Sequence, residues 1–309
     1  MSQAAADGVT DLFGCIHDTP NCYVASPATF PTVGSPNPML TGVALARRSG
    51  DKLAKDVLPA AEILTPAAGW TALFDGTAES AKAWRKVGAD GTGFAHLNGE
   101  LLSYGNSGLA LLFFAKQAFG DFTLKLQFRI FDGANHNSGV YVRFTHPRKA
   151  LSAALMARLS DAEKEAVKTH PVLRSIHSGF EVQIDDNARG DRNNDFWGIP
   201  EPDGLWRHRT GSLYNIPAGD RIWHLNTNEA RWQDYEPGPQ LIPGVWFEYE
   251  IKAAGNIFTV KLTNTASGDS KQTTRYDNAD AERGQSPGFI GIQAYPGSSV
   301  AYRHIQIQA

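Results

Sequence analysis

The chain has 309 residues, with 29 Lys+Arg against 32 Asp+Glu and a formal net charge of −3. That balance lacks the basic surplus of a dedicated nucleic-acid binder, and no run approaches the ~18 apolar residues of a membrane span. A hydrophobic content of 42% is enough for a proper core, and 30 Gly with 17 Pro favour a turn-rich β protein over a helical one.

The N-terminal stretch MSQAAADGVTDLFG lacks a basic region followed by a long apolar run. No signal peptide is expected from it, and the compartment is left open with a lean to the cytoplasm. Cys15 and Cys22 form neither a disulfide framework nor a metal-type spacing, so two unpaired, partly buried thiols are expected. Residues 22–25 read as a buried strand, a Pro/Gly loop follows, and a helix is expected from about Pro38. Residues 57–68 (VLPAAEILTPAA) read as a linker.

From Trp70 onward the pattern is one of strands. Period-2 alternation is clearest at 121–130, 138–144, 179–185, 245–251, 256–262, 288–295 and 300–307, mostly separated by Gly, Asn and Asp. This spacing predicts an all-β, antiparallel sandwich rather than βαβ units. One segment, 148–169, is rich in Ala, Leu, Lys and Glu, and Ser160 with Glu163 makes a capping-box signature. Two short helices are expected there, as a surface elaboration or a lid.

Alternation also assigns faces. Phe180, Val182 and Ile184 point one way, and Glu181, Gln183 and Asp185 the other. Val140, Val142 and Phe144 are expected in the core, with Tyr141 and Arg143 opposite; Ile290 and Ile292 inside, with Gln293 and Tyr295 opposite. If these strands are neighbours, one face gathers two carboxylates, an Arg, amides and aromatics, as a sugar site requires. The plain alternative is the solvated face of an antiparallel sheet. Five of the seven tryptophans fall in a long polar stretch: Trp197, Trp206, Trp223, Trp232 and Trp246. Trp246 lies in a strand pattern and is expected in the core; the other four are candidate walls of a cleft. Residues 185–195 are dense in oxygen ligands, with Asp185, Asp186 and Asp191 a candidate weak Ca²⁺ site. The EF-hand template fails there, because it would put Phe196 where a bidentate Glu is needed. No GxSxG, HExxH, P-loop or GxGxxG motif occurs.

Several ordered segments carry a resemblance: ALFDGT at 72–77, LNGELLSYG at 97–105, FGDFTLKLQFR at 119–129, NSGVYVRF at 137–144, GFEVQIDD at 179–186, TGSLYNI at 210–216, GVWFEYEI at 244–251 and GFIGIQAYPGSSVAYRHIQI at 288–307. With these, residues 69–309 resemble the 3-keto-disaccharide hydrolase domain family. The resemblance implies a concanavalin-like jelly-roll sandwich. The family's Trp-Asn pair before its late strand is Trp246-Phe247 here, so the Asn role is lost. Residues 9–56, through GCIHDTPNCYVASPATFPTVGSPNPMLTGVALARRSGDKL at 14–53, resemble the C-terminal end of glucose–methanol–choline (GMC) flavin oxidoreductases. There Asn37 matches a residue that faces the flavin in many members. The rest of that family's flavin domain is absent from this sequence, so FAD is expected only if the missing oxidase portion is supplied. The chain is expected to be a C-terminal piece of a fusion or one product of a split gene.

Together the resemblances imply one chemistry: an oxidase makes a ketone at the third carbon of a sugar, and this domain cleaves the 3-keto glycoside. Glu181 or Asp185 is expected as base or acid, Arg143 as charge stabiliser and His208 as an alternative base. Tyr141, Gln183, Trp197, Trp206, Tyr214 and Gln293 are expected to bind the sugar. A divalent metal, Ca²⁺ or another, is the alternative to Arg143, and no cofactor is required. The expected partners are a glycoside and a GMC oxidoreductase domain or subunit, with no nucleic acid and no membrane. A carbohydrate-binding module and a tether for the oxidase are the competing readings.

Overall fold

The computed structural model describes residues 1–19, 22–26, 39–57, 61–105, 108–131, 136–185, 187, 208–214 and 233–309, with backbone alone at 39–40 and 53–57. The chain divides into two compact units, Met1–Ala61 and Glu62–Ala309.

In the first unit a 3-10 turn (Ala5–Asp7) is followed by isolated bridges, Thr10 to Ile16 and Cys15 to Tyr23, and then by helix α1 (Met39–Val57). Both thiols are free; Cys15 is half-buried and Cys22 exposed. The expected buried strand at 22–25 is not formed. Only Tyr23 is bridged, and Cys22 and Ala25 are exposed, so this segment has no sheet neighbours to bury it.

The second unit is the expected antiparallel jelly-roll sandwich. In chain order it runs β1 (Thr71–Phe74), α2 (Ala78–Ala81), β2 (Trp84–Gly88), β3 (Thr92–Leu97), β4 (Glu100–Gly105), β5 (Ala110–Phe114), β6 (Phe122–Ile130) and β7 (Ser138–Phe144). Three helices follow, α3 (Ala153–Ala157), α4 (Asp161–Thr169) and α5 (Pro171–Ser178). The chain continues with β8 (Phe180–Ile184), β9 (Leu213–Tyr214), β10 (Asp234–Tyr235), β11 (Trp246–Ala254), β12 (Ile257–Asn264), β13 (Ser270–Asp277), β14 (Phe289–Ala294) and β15 (Val300–Gln308). Among the described residues one sheet has the order β10-β13-β12-β11-β6-β15-β4-β3, with β1 also on β15; the other has the order β2-β5-β14-β7-β8-β9.

Alternation does what it should in β6. Phe122, Leu124, Leu126, Phe128 and Ile130 are buried between the sheets, against Phe247, Tyr249 and Ile251 of β11 and Val140, Val142, Val182 and Ile290 of the second sheet. Trp246 is not in this core, contrary to expectation. It is half-buried on the outer face of the larger sheet, between the guanidinium groups of Arg129 (4.6 Å) and Arg303 (4.2 Å). Strand alternation puts it opposite in phase to the buried Phe247, and stacked cations cover its ring instead.

Residues 148–169 form the two expected helices, α3 and α4, and a third, α5, follows directly after them. α4 starts at the predicted Ser160–Glu163 capping box. α5 begins with Pro171 at its first turn, where a missing N–H is tolerated. Its Val172, Leu173 and Ile176 join Leu151, Leu155, Leu159 and Val167 in a second core laid on Leu111, Phe113, Tyr141 and Phe144. The insertion therefore covers part of the outer face of the smaller sheet, and ends directly at β8.

Among the described residues the short strand β9 ends the smaller sheet, and its outer backbone groups need partners. The Gln233 amide supplies them: Oε1 accepts the Leu213 N–H at 2.9 Å and Nε2 donates to the Leu213 carbonyl at 2.8 Å. Replacing Gln233 with Leu leaves both buried backbone groups unpaired, and is expected to lower stability by about 1–3 kcal/mol in urea denaturation. A loss within error of zero contradicts this role.

Candidate active site

Strands β14, β7, β8 and β9 lie side by side, and their register builds a row of side chains. Gly291 pairs with Tyr141, Tyr141 with Glu181, and Glu181 with Tyr214. One step along, Gly139 pairs with Gln183, and Ile292 pairs with Val140 next to it. The odd-numbered side chains thus share the outer face, as alternation predicts. They are not solvated: Tyr141, Glu181, Gln183, Asp185, His208 and Gln293 are all at most 5% exposed.

At the centre is a hydrogen-bonded chain. Gln293 Nε2 donates to the Tyr141 hydroxyl at 3.2 Å, and Tyr141 donates to Glu181 Oε2 at 2.7 Å. The other two acceptors of this group, Glu181 Oε1 and Gln293 Oε1, are buried with no hydrogen-bond partner among the described residues. The Glu181 carboxyl lies across β7 where Gly139 leaves room. A Cβ on Gly139 would sit 2.5 Å from Glu181 Cγ and 2.7 Å from Cδ, well inside contact distance. Burial pushes the Glu181 carboxyl up from 4.5 to about 8, and the Tyr141 hydrogen bond pulls it back only in part. Burial, and then the Glu181 charge, hold the Tyr141 phenol well above its ordinary range.

Around this centre, Gln183 Nε2 donates to Asn137 Oδ1 at 3.3 Å. His208 lies with its ring 5.4 Å from that of Tyr214. Asp185 is occupied locally: its Oδ1 accepts the Asn187 N–H at 2.9 Å, as a turn residue does at a strand end. Tyr295 sits in the turn after β14, where its carbonyl accepts the Ser298 N–H.

Arg143 is not part of this face. The pairing of β7 with β14 slips between Phe289 and Ile290, so that Val142 and Phe144 are paired but Arg143 is bulged out, with φ 54°. Its guanidinium turns to the inner side, bonds Asp121 at 2.9 Å, and lies near the Phe122 and Phe258 rings. The same bulge carries Phe144 to the outer face beside Tyr141, rather than into the inter-sheet core where it was expected. Asn37, Asp186, Asp191, Trp197, Trp206, Trp223 and Trp232 lie outside the described residues. Among the described residues no three His, Cys, Asp or Glu side chains come together, so no ligand set for a metal is formed there. Sequence reasoning missed Asn137 and Gly139. Both follow from extending the alternation of Tyr141 back by two and four residues.

A family model described as 3-keto-alpha-glucoside-1,2-lyase-like domain matches residues 69–308. The chain belongs to this family. Residues 1–46 match the C-terminal model of GMC oxidoreductases. Among solved structures, a candidate glycosyl hydrolase from Parabacteroides distasonis ATCC 8503 aligns with TM-score 0.51 and 17% identity, over 80% of this chain and 98% of that one. The likeness is one of fold. The carbohydrate-binding module CBM66 from Bacillus subtilis aligns at TM-score 0.41 and 10% identity, over 74% and 96% of the two chains. A Bacillus subtilis protein of unknown function with a galectin-like fold aligns at 0.41 and 11%, over 81% and 97%. No curated protein matches the chain. Family membership thus marks the sandwich unit as carbohydrate-related.

The raised proton affinity of Glu181 has a consequence for stability. The folded chain holds this proton more tightly than the unfolded chain, whose carboxyl keeps its value near 4.5. The resulting stabilisation is complete below that value and is lost as pH rises through about 8. The melting temperature of the wild type minus that of Glu181→Gln is therefore expected to fall steadily between pH 5 and pH 9. A difference that does not change with pH contradicts the burial of this carboxyl.

Proposed function

We propose that the sandwich unit cleaves 3-keto glycosides, with Glu181 as the base. The observation that carries this is the desolvated Glu181 carboxyl, whose Oε1 has no partner among the described residues while its Oε2 is held by Tyr141. A ketone at the third ring carbon acidifies the hydrogen on the second. Glu181 Oε1 takes that proton; the C–H electron pair forms the double bond of an enolate, whose negative charge rests on the former ketone oxygen. Collapse of the enolate re-forms the ketone, makes a double bond between the first and second carbons, and expels the glycosidic oxygen with its bonding pair. That oxygen takes up a proton from a donor on the same face, for which His208 beside Tyr214 is the candidate. Water added across the new double bond completes a net hydrolysis. A carboxyl with proton affinity raised to about 8 is a stronger base than an ordinary glutamate, which suits abstraction from carbon.

Gln293 Oε1, also buried without a partner, is an acceptor for a sugar hydroxyl, and Tyr214 offers an aromatic face. The turned-away Arg143 leaves the enolate charge to other donors. The match of residues 1–46 to GMC oxidoreductases supports pairing with a flavin-bearing oxidase, which would take two electrons from the sugar alcohol to make the ketone.

With a chromogenic 3-keto glucoside, Glu181→Gln is expected to lose turnover by on the order of 10²–10⁴-fold while calorimetry still detects binding. For a base, kcat/KM of the wild type rises with pH through about 8; a profile that falls there assigns Glu181 as the acid instead. Undiminished turnover by Glu181→Gln overturns the reading. Wild-type binding with no cleavage of any 3-keto glycoside leaves a binding module. Arg143→Met is expected to keep turnover within about threefold while lowering stability by about 1–3 kcal/mol, through loss of its bond to Asp121. Loss of turnover at unchanged stability would instead restore Arg143 to the chemistry.

A further inference from the structure

The reacting group contains one residue whose role goes beyond holding a sugar. Gln293 reaches the site from β14, and its carbonyl accepts the Ser138 hydroxyl at 2.6 Å. Its side chain is buried and, among the described residues, is hydrogen-bonded to the carboxyl through Tyr141. A phenol hydrogen prefers the plane of the ring, where it has two positions. Gln293 Nε2 donates to the Tyr141 oxygen at 3.2 Å, and a donor there takes a position that the Tyr141 hydrogen cannot also occupy. The Tyr141 hydrogen is left with the other, which faces Glu181 Oε2. An amide nitrogen is a donor only, so the chain can run in one direction only, from Gln293 through Tyr141 to Glu181.

We infer that Gln293 is a positioning residue, acting through Tyr141 to keep the proton of Glu181 off Oε2 and so to make Oε1 the atom that exchanges protons with the substrate. Without the Gln293 donor, the Tyr141 hydrogen is free to turn away, and its oxygen can accept a proton carried on Oε2. The carboxylate then loses its one held donor, and the carboxylic acid gains a second resting place. Both changes raise the proton affinity of Glu181 and take its proton away from the substrate. The inference rests on the reading of Glu181 as the reacting base.

The titratable groups that bear on Glu181 are Tyr141 on β7, Tyr214 on β9 and Tyr302 of the larger sheet, which meets Ser138 at 2.6 Å. His208 stands behind Tyr214, and Arg283 acts on Tyr141 from the loop before β14. Substitution of Gln293 alters none of these residues.

The test is the titration of the Glu181 carboxyl, followed by carbon-13 NMR in the full chain, in wild type, Gln293→Met, Tyr141→Phe and the double variant. Gln293→Met is expected to move the Glu181 midpoint upward by roughly 0.5–1 pH unit, the equivalent of one ordinary hydrogen bond. The rising limb of kcat/KM should move with it, and turnover should fall by roughly tenfold or more. Tyr141→Phe should raise the midpoint as well, and adding Gln293→Met to it should produce no further shift, because the two act through one hydroxyl. An unmoved midpoint in Gln293→Met overturns the inference, as does an equal added shift in the Tyr141→Phe background. Denaturation curves identify a variant that has simply failed to fold, in which case Gln293→Leu, which removes the donor without adding a charge, gives the same two-way reading. If the midpoints move as expected but no variant or wild type turns over a 3-keto glycoside, the directed chain stands and the catalytic reading beneath it fails.

Discussion

The site depends on a buried carboxyl that pairs with no cation among the described residues. Glu181 lies flat across β7, in the space that Gly139 leaves, with a single phenol for a partner. A carboxylate in such a place is strained toward its neutral form, because desolvation penalises the charge far more than one hydrogen bond can offset. Stability alone would favour Gln at this position. A sheet face that keeps Glu here, with an unpartnered Oε1, holds a group whose proton is ready to move at mildly alkaline pH. The rest of the outer face serves that arrangement. The helices α3 to α5 bury one half of the sheet, Gln233 ties down the β9 edge, and the inter-sheet core fixes the register that brings Gln293, Tyr141, Glu181 and Tyr214 together.

Much of this was legible in the sequence because period-2 patterning is a physical consequence of a two-faced sheet. Phe180, Val182 and Ile184 had to share the core, so Glu181 and Gln183 had to share the other face, and they do. The capping box at Ser160 likewise marked the start of α4. Alternation fails only where the backbone breaks its own period. Arg143 is the example: one extra residue in β7 reverses the phase, sends the guanidinium to Asp121, and brings Phe144 outward. Nothing in SGVYVRF announces that slip; its companion signal is Gly288 across the ladder, where a Cβ would sit 2.4 Å from Arg143 Cα. Burial of the polar face was equally hidden, since the helical reading ended at Thr169 and α5, which starts at Pro171, lies beyond it.

The two parts of the chain make different kinds of statement. The sandwich carries its own core and its own polar row, so its chemistry can be derived from within. Residues 1–46 match the end of a flavin domain, and within Met1–Ala61 the described residues form one helix, one 3-10 turn and two bridges. On the proposed reading, an oxidase that forms a ketone and a domain whose buried carboxyl takes the proton beside that ketone would be chemically sequential.

The central claim is that cleavage begins at carbon, with Glu181 taking the proton from the second ring position. The direct measurement is solvent exchange: a 3-keto glucoside is turned over in D₂O, and the released 3-keto sugar is examined by NMR for deuterium at that position. The account predicts deuterium there with the wild type, and neither exchange nor release with Glu181→Gln. Release of a product that keeps its original hydrogen, at a rate matched by Glu181→Gln, would contradict it.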